Sequence, residues 1–188
     1  SDPEAIKQQV MNSKIMGRDN RVILDGVGIG YGIQTESKYH LEEEGTGSVG
    51  DMGDLTRYAK AGGSFSYLFK VDKGQKDYII CQYSKADNGK TMVIKVGDIV
   101  IAEETLNYDG KEKIYSKKYE IPAEAVALAT PFEWRDDTTG KTEIRDVIRI
   151  SFSGKDGAES AKLHKNASTC TEYSHNAGIK SMTSNIGS

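Results

Sequence analysis

Cysteine, histidine, proline and tryptophan are all scarce: two, three, three and one among 188 residues. Cys81 and Cys170 supply too little sulfur for a disulfide framework or a C-x-x-C zinc knuckle. Two readings stay open for them, a single bridge or, for Cys81 within the apolar run Tyr78–Tyr83, a small buried thiol. No apolar run approaches the ~20 residues of a bilayer-spanning helix, which argues against membrane insertion. Neither sign of charge prevails, with 25 Lys and Arg against 28 Asp and Glu and a formal net charge of -3. Both halves of the chain share that balance, so neither carries the basic field that drives nucleic-acid binding. Hydrophobic residues at 37% are enough for one core in a very soluble chain. The opening Ser1-Asp2-Pro3 has no Met and no apolar leader, and is expected to be a cut within a longer protein.

Strand signals dominate what is present. Asp2-Pro3 reads as an N-cap with proline at N1, and Ile6, Val10 and Ile15 roughly keep helical spacing to Met16. Arg21–Asp25 reads as a short strand, and Gly26–Gly32 as an irregular extended connection. Its spacing fails the G-x-G-x-x-G pattern, and no helix follows to receive a phosphate. Residues 35–62 are polar and turn-rich and predict a surface excursion. From Gly63 onward strands repeat: Ser64–Val71 with Phe65, Tyr67, Phe69 and Val71 on one face, then Asp77–Ser84, Thr91–Val96, Ile99–Leu106 and Ile114–Ile121. Asp87-Asn88-Gly89 and Gly97-Asp98 mark the turns of a meander. Pro122–Leu128 predicts one or two helical turns. Asp146–Phe152 alternates again, and the polar end of the chain predicts at most one more strand. Short strands between regular turn signals predict an all-β antiparallel β-sandwich with a short N-terminal helix or arm. The expected division is an arm or linker over residues 1–30, the sandwich over 31–163 and a polar tail over 164–188.

Several segments resemble the C-terminal β-sandwich of bacterial family 127 glycoside hydrolases, the β-L-arabinofuranosidase-like enzymes. Arg57-Tyr58-Ala59-Lys60-Ala61-Gly62-Gly63-Ser64-Phe65-Ser66-Tyr67, followed by Phe69-Lys70-Val71, is similar to that family's R-x-A-x-x-G-G-x-F-S-Y run. Gln34–His40, Met92–Ala102, Tyr119-Glu120-Ile121-Pro122 and Val147–Phe152 resemble further family segments in order. The resemblance covers about residues 31–160. It departs at Leu55-Thr56, where the family carries an aromatic before the Arg, and over 130–143, which reads as an insertion. It implies a jelly-roll or galactose-binding-domain-like sandwich. Family chemistry belongs to an upstream helical barrel with a zinc held by glutamate and cysteine, so the implied role here is accessory: packing on that catalytic domain, or oligomerisation, in an enzyme of arabinose-containing plant glycans. A periplasmic or extracellular location is implied likewise.

No acid, base, nucleophile or metal constellation stands out, so no catalytic residue is expected. Glu42, Glu43 and Glu44 read as a solvated loop, Glu103 and Glu104 as a strand end, and Ser64 and Ser66 as the polar face of a strand. His40, His164 and His175 do not cluster in sequence. Asp136 and Asp137 crowd oxygen donors into a turn and are weak calcium candidates, without the alternation of a calcium loop. Aromatics remain. Trp134, followed by Arg135, is the ring best placed to stack on a sugar, and Tyr58 beside Arg57 is the second candidate. The competing reading for each is packing: Trp134 closing the core at a strand end, Tyr58 and Arg57 supporting the glycine-rich turn. A freestanding carbohydrate-binding module is the alternative to the accessory role.

Overall fold

A computed structural model describes residues 3–6, 21–30 and 35–172. Its strands are β1 (Arg21–Gly28), β2 (Glu42–Gly47), β3 (Gly50–Asp51), β4 (Asp54–Lys70), β5 (Lys76–Ser84), β6 (Thr91–Val96), β7 (Ile99–Thr105), β8 (Ile114–Glu120), β9 (Thr130–Arg135), β10 (Thr142–Ser153), β11 (Leu163–His164) and β12 (Asn166–Glu172). They form two sheets. One runs β1-β12-β5-β8; the other runs β11-β4-β10-β6-β7, with β2 and β3 added to β4 and β9 added to β10. Every ladder between named strands is antiparallel. The fold is the all-β sandwich that the alternating pattern predicts.

Period-two alternation explains which side chains meet between the sheets. Phe65, Tyr67 and Phe69 of β4 point inward with Ile148, Ile150 and Phe152 of β10 and Met92, Ile94 and Val96 of β6. Ile79, Cys81 and Tyr83 of β5 close the core from the smaller sheet. Phe65 stacks on Phe152 with ring centroids 5.2 Å apart, and Tyr67 meets Phe69 edge-on at 6.0 Å. Cys81 and Cys170 are both buried and not bridged to each other, and burial pushes the Cys81 thiol up to about 12.

The sandwich extends past both expected boundaries. β1 lies before residue 31, and β12 lies after residue 163 as an interior strand between β1 and β5. The polar composition of β12 conceals this, because its inward positions are Ala167, Thr169 and Thr171, two of the three polar and all buried. The predicted surface excursion over 35–62 is also corrected, since β4 begins at Asp54 and buries Thr56, Arg57 and Ala59. Nor is the glycine run an irregular connection from its start: Gly26 and Gly28 pair with Ser168 and Asn166 inside β1. Gly63 has a steric reason to be glycine, because a Cβ there would lie 2.1 Å from the carbonyl oxygen of Gly45. The expected helical turn after Pro122 forms over Ala123–Val126. Residues 3–6 are helical, and the rest of the helix expected to Met16 lies outside the described residues, as does the chain after residue 172. No helix among the described residues is long and apolar enough to cross a membrane.

One buried carboxylate makes the stability of the sandwich depend on pH. Asp77 on β5 is 1% exposed; its Oδ2 accepts the Asp72 N–H at 2.8 Å, and the Thr171 side chain also hydrogen-bonds the carboxyl. Burial pushes Asp77 up from 3.8 to about 6. The folded state therefore keeps a proton that the unfolded chain releases, and stability is lost as pH rises through this window. Asp77→Asn should gain about 2–3 kcal/mol relative to the wild type between acid and neutral pH, read by urea unfolding. A difference independent of pH would refute this.

Candidate functional site

The site begins with a buried ion pair. Glu36 opens a short 3-10 helix, Glu36–Tyr39, and is fully buried against β4. Its carboxylate accepts Arg57 Nε at 2.6 Å and Arg57 Nη2 at 2.8 Å, and also accepts the Tyr67 hydroxyl. Arg57 Nη1 continues to Thr46 Oγ1 and to Glu43, each at 3.0 Å, which ties β2 to the same charge. A bidentate, fully hydrogen-bonded pair is the geometry that offsets the desolvation of both charges. Burial and the neighbouring Glu36 carboxylate raise the Tyr67 hydroxyl far above its ordinary value, so it stays a donor.

This anchor fixes the residues that follow. His40 turns the chain in a left-handed conformation at φ 56°, and its carbonyl accepts Arg149 Nη1 at 2.8 Å. Tyr39 and His40 are thereby presented to the ribbon that β9 and β10 form beyond the edge of the sheet. The ribbon register sets Glu143 opposite Trp134 and Arg145 opposite Phe132. Alternation puts these four on one face of the ribbon, leaving Ile144, 69% exposed, on the other. Tyr39 meets Trp134 at 5.3 Å between centroids, and His40 meets Phe132 at 5.0 Å and Trp134 at 5.6 Å, both edge-on. The Arg145 guanidinium lies 4.7 Å from the Trp134 ring centre, in cation–π range.

Between the 37–40 segment and the ribbon lies a groove of about 800 Å³. Rings of Tyr39, His40, Phe132 and Trp134 line it, and Lys38, Arg135 and the 136–143 turn supply polar groups. Asp136 closes that turn by accepting the Thr138 and Thr139 N–H groups at 2.8 and 3.3 Å, which holds its carboxyl below the ordinary range. Arg145 does the same for Glu143. A second depression, of about 450 Å³, lies over Ser64, Lys95, Glu103 and Ser153 on the larger sheet, and no aromatic ring lines it.

Trp134, Arg135, Asp136 and Asp137, singled out from the sequence, all line the one groove. Arg57 and Tyr58 do not. Arg57 is 7% exposed with its guanidinium spent on Glu36, Glu43 and Thr46, so burial removes it from any ligand. Tyr58 packs its ring over Gly47, where a Cβ would meet it at 2.7 Å. Among the described residues no group of three or more His, Cys, Asp or Glu could hold a metal ion. Sequence reasoning passed over Tyr39, His40, Phe132 and Arg145. The alternation of Phe132 with Trp134 marks one of them; nothing local marks Tyr39 and His40, which reach the groove only through the Glu36 anchor.

These features define an antiparallel β-sandwich with an aromatic groove at its flank. By sequence, residues 20–152 match a family described as a family of unknown function, DUF6805, and the chain belongs to it. No curated protein matches the sequence. Solved structures similar to the chain include a carbohydrate-binding module (CBM6) of lichenase 5A from Cellvibrio mixtus, in complex with cellotriose. That match has 11% identity and TM-score 0.45, covering 82% of this chain and 100% of that one. An exo-β-1,3-galactanase from Phanerochaete chrysosporium, with galactose, matches at 9% identity and TM-score 0.45, over 79% of this chain. This chain spans only 28% of the galactanase. A family 35 carbohydrate-binding module from Clostridium thermocellum matches at 8% identity and TM-score 0.44, over 77% of this chain and 97% of that one.

The anchor can be tested by its asymmetry. Arg57→Met leaves the buried Glu36 carboxylate without a counter-charge, and Glu36→Gln leaves Arg57 only the half-exposed Glu43; each should cost about 3–5 kcal/mol in chemical denaturation. Joint replacement of both by apolar residues should cost less than either single change. Additive losses in this double-mutant cycle would show that the pair is not coupled.

Proposed function

We propose that this chain is a non-catalytic carbohydrate-binding sandwich that seats a sugar in the groove beside Trp134. The observation that carries this reading is the convergence of the Phe132 and Trp134 rings of the ribbon with the His40 ring of the 37–40 segment at a groove whose rim is polar. Aromatic faces pack on the C–H faces of a sugar ring, and Lys38, Arg135, Thr138, Thr139 and Thr142 offer donors and acceptors for its hydroxyls. Binding is favoured over hydrolysis by the state of the carboxylates. Glycoside cleavage needs one carboxyl that keeps its proton near neutral pH beside a second that has lost it. Among the groove's carboxylates Glu133, Asp136, Asp137 and Glu143, Glu143 and Asp136 are both held below their ordinary values, which disfavours either as that acid.

The resemblance to the C-terminal sandwich of family 127 glycoside hydrolases extends the proposal. In that fuller form the chain is an accessory domain that packs on an upstream catalytic domain or joins its oligomer, in a periplasmic or extracellular enzyme of arabinose-containing plant glycans.

Calorimetry with arabinose-, galactose- and xylose-containing oligosaccharides tests the reading. One series should bind, and Trp134→Ala should weaken it at least about tenfold, the loss of a stacking platform being about 2 kcal/mol. No binding to any series, or equal binding by the variant, would refute it.

A further inference from the structure

The groove's aromatic wall rests on a residue outside it. β1 pairs with β12 in register Ile23↔Cys170 and then Asp25↔Thr169, so Leu24 is an extra residue in a β-bulge. Such a bulge shifts the alternation by one and re-aims the side chains beyond it. Before the bulge Ile23 faces solvent, 53% exposed; after it Asp25 turns inward and is 6% exposed. Burying a carboxylate is costly unless it is paired and hydrogen-bonded, and Asp25 has its partners at the groove. Its Oδ2 accepts the Lys70 N–H at 3.1 Å, its Oδ1 lies 3.5 Å from Arg145 Nη1, and the Tyr39 hydroxyl donates to it. Arg145 and Tyr39 are two of the four groups that meet the Trp134 ring, at 4.7 and 5.3 Å, beside His40 and Phe132.

We infer that Asp25 is the positioning residue of the groove: through Arg145 and Tyr39 it holds Trp134 in the orientation a ligand meets. The inference rests on reading the groove as the binding site, and one carboxylate on the smaller sheet thus sets the geometry of a ribbon on the larger. Groups facing Asp25 are Tyr39 from the 36–39 helix, Arg145 of β10 with its second partner Glu143, and the Lys70 and Gly26 backbones. Burial outweighs these and raises the Asp25 carboxyl above its ordinary value. Acid should therefore release Arg145 before ordinary carboxylates are protonated, and the groove should loosen as pH falls, not as it rises.

Trp134 is the only tryptophan, so its fluorescence reports on the groove without any ligand. In Asp25→Asn the emission should shift to the red and acrylamide quenching should increase at neutral pH. The wild type should approach that state in mild acid, while the variant stays flat. His40 also touches Trp134, and repeating the titration in His40→Asn, a residue that tolerates the left-handed turn, isolates its contribution. Asp87→Asn breaks another buried pair, with Lys162 at 2.7 Å, and serves as the control for general destabilisation. Unchanged emission in Asp25→Asn, or an equal change in Asp87→Asn, would overturn the inference. Glycan titration then separates the two readings. A fluorescence change with no glycan bound at Trp134 would uphold the positioning role and refute the sugar site, and normal fluorescence with glycan bound would do the reverse.

Discussion

The buried pairing of Glu36 with Arg57 is the constraint on which the rest of this flank depends. An arginine facing the interior of a sandwich would carry an uncompensated charge, and β4 could not run inward from Asp54 without a carboxylate to meet it. Glu36 arrives from a separate turn, takes both guanidinium edges and accepts the Tyr67 hydroxyl as well. Three outcomes follow from that contact: the first half of β4 joins the core, β2 is fastened through Glu43 and Thr46, and the 37–40 segment is pinned where the ribbon can reach it.

The ribbon is the complementary half of the device. β10 is long enough to pair with β4 and β6 at one end and with β9 at the other, so its outer part carries Glu143 and Arg145 past the sheet. Two-stranded ribbons gain little stability alone. Here the contacts of Phe132 and Trp134 with Tyr39 and His40, and of Arg145 with Asp25, hold it against the body of the sandwich. The result is a groove whose walls, the 37–40 segment and the β9–β10 ribbon, come from distant parts of the chain. Of the four carboxylates that line it, Glu143 is held by Arg145 and Asp136 by backbone N–H groups of its own turn.

Strands were legible in the sequence wherever inward positions were apolar and alternated, as in β5, β6 and the second half of β10. Legibility failed where the inward residue was polar and its partner lay far along the chain. Arg57 stood open between a sugar donor and a packing role because its partner Glu36 lies far along the chain, and the further strand expected in the polar end had no readable bounds because Thr169 and Thr171 fill inward positions of β12. The bulge at Leu24 leaves no mark that a two-residue period can reveal. Half of the groove was legible: a lone Trp134 beside charged residues in a turn-rich stretch. Tyr39 and His40 were not, since only the tertiary ion pair carries them there.

The central claim is that sugar recognition resides in the groove between the 37–40 segment and the β9–β10 ribbon. Amide and side-chain NMR shifts of the labelled protein, followed during titration with arabinose-, galactose- and xylose-containing oligosaccharides, test it most directly. The account predicts saturable changes concentrated at Tyr39, His40, Phe132, Trp134 and Arg145. Changes confined to the depression around Ser64, Lys95 and Ser153, or none with any of the glycans, would contradict it.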